Sequence, residues 1–142
     1  MKPLLAVITL LTMAIALAAD DPSTFVDHEK VAAALAKGGP LVTAQDLLVS
    51  GSHRTGPGQV EVHEKQTDVI YVVDGQATFV TGGTIVGSKT ASPGQFLGTD
   101  IRNGQSHHLS KGDVIVVPAG TPHWFKEVSG PISYFVVKVL KP

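Results

Sequence analysis

The stretch Gly112-Asp113-Val114-Ile115-Val116-Val117-Pro118-Ala119-Gly120-Thr121-Pro122-His123 decides how this chain is read. Four apolar residues make a strand that ends at Pro118, which has no N–H to give to a ladder. Gly120 permits a sharp reversal, and Pro122 restricts the backbone just ahead of His123. A histidine at the end of so stiff a turn is preset in direction, which a metal site requires and a surface residue does not.

A second stretch lies upstream, where Glu61-Val62-His63 is followed by four residues, then Asp68, then six residues to Gly75. Strand side chains alternate, so Glu61 and His63 share one face while Val60 and Val62 take the other. Glu64 to Thr67 is polar enough to turn the chain. Asp68 restarts a strand with the body Val69-Ile70-Tyr71-Val72-Val73, from which it can face Glu61 and His63. The alternative is a solvated hairpin whose acids face water.

Working outward, short β-rich runs recur from Leu47 to Leu140, separated by turn chemistry, a pattern that argues for an all-β sandwich or barrel. Asp74-Gly75 and Asn103-Gly104 are dipeptides suited to two-residue type I′ hairpins, and Gly82-Gly83 and Ser110 to Asp113 mark further reversals. Gly87 to Gly98 holds Ser92-Pro93-Gly94 and little periodicity, and reads as a long surface loop. One short helix is expected before the strands, from Asp27 as N-cap to Lys37, stopped by Gly38-Gly39-Pro40.

The two stretches resemble the two signature motifs of the cupin superfamily. The first has the form Gly, His-x-His, three or four residues, Glu, six residues, Gly. The second has the form Gly, five residues, Pro-x-Gly, two residues, His, three residues, Asn. The resemblance spans about Arg54 to Val139 and implies a jelly-roll barrel, the double-stranded β-helix. His63 and His123 match outright, whereas Glu61 stands at the family's first His, Asp68 at its Glu, and Glu127 at its Asn. Carried over position by position, the resemblance implies a divalent metal (Fe, Mn, Ni or Zn) on Glu61, His63, Asp68 and His123. Asp68 is one methylene shorter than Glu, which leaves room for water between it and an ion. Neutral imidazoles with anionic oxygens suit such cations, and affinity order alone does not choose among them.

Around that set, His107 shares its strand face with Leu109 and is a candidate to support the site. Phe125 shares the face of His123 and is a candidate pocket wall, with Tyr71 among the other aromatic candidates. Arg54, ahead of Gly56-Pro57-Gly58, can receive an organic anion at the barrel mouth, although a solvated turn explains it as well.

Composition fits this picture and excludes others. At 142 residues there is room for one domain, and with a net charge of −1 there is no basic face for nucleic acid. There is no Cys, so disulfides and thiol nucleophiles are excluded. Lys2, the apolar run Leu4 to Ala19 and Ala16-Leu17-Ala18 read as a signal peptide over residues 1–19, leaving a single domain over 20–142 that is exported to the periplasm or beyond and is free of the membrane. The expected function is a metal-dependent oxygenase, isomerase, lyase or hydrolase acting on a small polar molecule. A binding module without turnover is the alternative. The resemblance further implies a homodimer, and the nearly continuous apolar strand Ile132 to Leu140 is either core or interface.

Overall fold

The computed structural model of the protein describes residues 22–142. The signal-peptide reading of residues 1–19 lies outside the described residues.

The helix forms as its caps dictate. Asp27 accepts a hydrogen bond from the Lys30 amide at 2.9 Å, α1 runs His28–Lys37, and Gly38 ends it at φ 78°. Ala34 is its buried residue, and it sits so close to Gly51 that a Cβ there would come within 2.7 Å of the helix backbone. A glycine on the strand is therefore what lets the helix lie against the sheet.

Thirteen strands follow: β1 (Gly39–Thr43), β2 (Leu47–Arg54), β3 (Val60–His63), β4 (Gln66–Asp74), β5 (Gln76–Thr81), β6 (Thr84–Val86), β7 (Lys89–Ser92), β8 (Gln95–Gly98), β9 (Asp100–Arg102), β10 (Gln105–Ser110), β11 (Val114–Val117), β12 (His123–Glu127) and β13 (Ile132–Leu140). They form a five-stranded sheet in the order β1-β2-β13-β4-β11, a six-stranded sheet in the order β10-β5-β12-β3-β8-β7, and the small pair β6-β9. The ladders are antiparallel. From β3 to β5, and again from β10 to β13, each consecutive strand lies in the other large sheet. That alternation makes the double-stranded β-helix expected from the sequence.

Two expectations about connections are corrected. Asp74-Gly75 and Asn103-Gly104 do not close hairpins, because β4 and β5 belong to different sheets, as do β9 and β10. Gly75 at φ 85° and Asn103 at φ 56° take left-handed backbone, but they use it to carry the chain from one sheet to another. Gly87 to Gly98 is not a loop either. It contains β7 and β8, turned on Gly94 at φ 72°, and β8 pairs along the whole of β3. The residues of β7 are small or polar and all exposed, so no alternation betrays the strand.

The core lies between the large sheets, with Ile70, Val72, Val117, Ile132 and Tyr134 from one and Ala77, Phe79, Leu109 and Phe125 from the other. Strand parity places the polar groups. On β4, Asp68, Ile70 and Val72 are buried while Tyr71 is 44% exposed on the outer face. The reading of Tyr71 as a pocket wall is thus corrected, since a residue three positions from Asp68 faces away from it. β13 lies between β2 and β4 and is a core strand, so its edges are fully occupied.

Candidate functional site

Glu61 and His63 project from β3, Asp68 from β4 and His123 from the start of β12, and they meet at one end of the space between the sheets. His123 is paired across the ladder with Glu61 on one side and Thr81 on the other. The turn that presents it is fastened to β3 by a bond from the Gly120 amide to the His63 carbonyl at 2.7 Å, with Gly120 at φ 80°. The stiff turn read from Pro118 to Pro122 therefore brings the two histidine strands together.

His63 Nε2 lies 3.4 Å from Glu61 Oε2 and 3.6 Å from Asp68 Oδ2, and His123 Nε2 lies 3.7 Å from each of the same oxygens. The imidazole rings are 5.1 Å apart. Both rings are oriented from behind. His63 Nδ1 pairs with the Gln95 amide oxygen, and His123 Nδ1 with the Thr121 carbonyl at 3.0 Å. A ring nitrogen facing an oxygen acceptor carries the proton, which leaves Nε2 of each ring as a lone-pair donor aimed at the carboxylates. His63 Nε2 is buried and has no hydrogen-bond partner.

Burial pushes His123 below its ordinary value, which favours the neutral ring. The Glu61 carboxyl is held below the usual carboxylate range chiefly by hydrogen bonding from the His63 ring whenever that ring turns an N–H toward it, so Glu61 is ionised at neutral pH. Glu61 is also the most exposed of the four side chains at 40%, against 4% for Asp68.

A divalent metal fits this donor set. Neighbouring ligand atoms around a tetrahedral ion with bonds of about 2.1 Å stand about 3.4 Å apart, close to the separations found here. Two neutral nitrogens, two carboxylates and an orphaned buried Nε2 supply the donors and a reason for the arrangement. Glu61, His63 and His123 form the freest group. Asp68 is already engaged, because Lys138 Nζ donates to both its oxygens at 2.9 and 2.7 Å.

Lys138 was missed as a member of this site, and so was Gln95. In β13 the buried positions Ile132 and Tyr134 set the parity that carries Val136 and Lys138 inward. The sequence of β13 is apolar on both faces and does not by itself say which parity is inward. Gln95 had no signal either, because the segment around it looked like a loop.

Of the supporting candidates, Phe125 and Arg54 both line the cavity of about 220 Å³ that opens beside Glu61, Asp68 and His123. His107 does face inward, but its Nε2 bonds Thr81 Oγ1 at 2.8 Å and reaches none of the four donors. Its candidate supporting role is corrected to a bond one residue removed from His123. Glu127, in the place of the family's Asn, lies beyond a bulge after Phe125 and accepts from Thr78 Oγ1 on the exposed side.

A jelly roll with imidazoles and carboxylates gathered between its sheets defines a class, and comparison with known proteins agrees. The profile of the cupin family matches residues 43–139, and the chain belongs to that family. Among solved structures, a Bacillus halodurans protein superposes with a TM-score of 0.60 at 15% identity, covering 85% of this chain and 84% of its own. A Klebsiella pneumoniae protein with a double-stranded β-helix domain gives 0.54 at 19% identity, covering 83% and 90%. KdgF from a Halomonas species gives 0.50 at 19%, covering 73% and 79%. At these identities the likeness is one of fold. No curated protein matches the chain in sequence.

Proposed function

We propose that this cupin is a divalent-metal-dependent enzyme acting on a small polar organic molecule inside its barrel. The observation that carries the reading is the convergence of two imidazole Nε2 atoms and two carboxylate oxygens within 3.4 to 3.7 Å, each ring already oriented by an acceptor on its far nitrogen. Glu61, His63 and His123 would hold the ion, with Asp68 shared between it and Lys138. Iron, manganese, nickel and zinc all suit the donors.

A bound ion of this kind supplies Lewis-acid polarisation and a water acidified toward neutral pH. The chain supplies the rest. Phe125 and Tyr134 wall one side of a cavity below the range that holds drug-sized ligands, which restricts it to molecules of a few carbon atoms. A carboxylate oxygen of Glu61 or Asp68 left off the ion is the group placed to take up or return a proton at the bound molecule. Export and pairing of two copies belong to the same proposal. Cell fractionation and mass in solution test them.

Elemental analysis of protein purified without a metal-affinity tag is the direct experiment. About one equivalent of divalent metal per chain is expected, and its loss from His63→Ala and His123→Ala. Negligible metal in all three proteins would overturn the reading. Asp68 engaged by Lys138 favours a second reading, a module that binds without converting. Ligand binding with no turnover under every metal would select it.

A further inference from the structure

Arg54 is the one charged residue of the cavity that the metal reading leaves without a task. It stands at the end of β2, where strand parity aligns Ser50, Ser52 and Arg54 along the cavity wall. Its guanidinium lies over the ring of Phe125, with Cζ 5.0 Å from the centroid. Gly58 makes room for it, since a Cβ at that position would meet Arg54 Nη1 at 2.8 Å. Arg54 takes part in none of the ion pairs among the described residues, and its Nε is buried without a hydrogen-bond partner. A guanidinium fixed on an aromatic ring, partly desolvated and unpaired, is arranged to receive a planar anion through two parallel N–H bonds.

The charge of the cavity says the same. Arg54 and Lys138 offset Glu61 and Asp68, so with neutral imidazoles the wall has no net charge. A divalent ion raises it to +2, and a buried excess of that size calls for an anionic guest. Distance sets the guest's length. Phe125, under the guanidinium, is two residues along β12 from His123, or about 7 Å. A chain of three to five carbons spans that gap.

We propose that the cavity takes a small organic acid whose carboxylate is clamped by Arg54 while its other polar end faces the Glu61–His63–His123 group. This rests on the metal reading for the second contact, but the Arg54 contact stands apart from it.

The test uses the full mature protein, metal-loaded and metal-stripped, titrated by calorimetry with succinate and with uncharged succinamide. Succinate is expected to bind the loaded protein at least about tenfold more tightly than succinamide. Arg54→Gln is expected to weaken that preference in the loaded protein and to abolish it in the metal-stripped protein, where Arg54 is the cavity's unpaired cation, while leaving metal content unchanged. Arg54→Lys, which keeps the charge and loses the fork, should restore only part of it. Succinate preference undiminished in both variants, or absent from the wild type, overturns the inference. A protein that binds no metal yet prefers succinate through Arg54 would sink the proposed function and leave this inference standing.

Discussion

The two large sheets contribute to the site in different ways. The six-stranded sheet brings Glu61, His63 and His123, with Gln95 behind one ring, and its nitrogens are uncommitted on the side facing the cavity. The five-stranded sheet brings Asp68 and Lys138, which neutralise one another at 2.7 Å. One wall therefore offers uncommitted donors to a cation, whereas the charges of the other are paired with one another. On the proposed function, stability and metal affinity would reside in different halves of the barrel and be separable by mutation.

The strongest break comes on the open wall. His123→Ala is expected to weaken divalent-metal binding at least about a hundredfold, because each ligand of a four-donor site carries roughly 3 kcal/mol of the total. Competition titration with a metallochromic chelator reads it.

On the closed wall the sign reverses. Lys138→Met leaves Asp68 buried and uncompensated, at a cost of about 2 to 3 kcal/mol in metal-stripped protein, discounted because the lysine is a quarter exposed. The freed carboxylate then becomes a better metal ligand. The rise in melting temperature on adding metal should be larger in Lys138→Met than in the wild type, and an equal or smaller rise would contradict the division between walls.

Gln95→Leu removes the acceptor behind His63 without touching a ligand. Metal affinity should fall about tenfold. A smaller effect still is expected from pH. Because burial holds His123 low, the unfolded chain binds a proton first as pH falls through 6.5, and folding weakens from there downward, with Glu61 adding to the loss below 4.5. Between pH 7 and 5 the melting temperature of the metal-stripped protein should fall. A flat melting temperature over that interval would contradict the burial of a neutral His123. Smallest is Tyr71→Ser on the outer face of the closed wall, expected within about 0.5 kcal/mol of wild type and with unchanged metal content.

What could be read in advance depended on how locally each feature is encoded. The helix is set by Asp27 and Gly38, both within a turn of its ends, and both act as expected. Pro118, Gly120 and Pro122 fix the approach to His123 within six residues, and that turn was legible for the same reason. Which sheet a strand joins is not local. Asp74-Gly75 has the chemistry of a hairpin, but its neighbours find partners far along the chain, β4 with β13 and β5 with β10 and β12. Gln95 was hidden because β8 gains its order from β3, and its own residues do not alternate in polarity. Lys138 was not legible either, because the nearly continuous apolar run of β13 does not show which parity faces inward until the burial of Ile132 and Tyr134 is seen.

The sheet-to-sheet crossings bear on how such a protein comes to hold its ion. Glu61 and His123 are neighbours in space, but the chain between them visits both large sheets before they meet. No early, local piece of structure contains both residues, so capture of a cation as proposed would follow closure of long-range ladders, which form slowly. A metal bound as proposed would then act late, as a clasp on a finished shell, since the nascent chain offers ions nothing better than scattered single side chains.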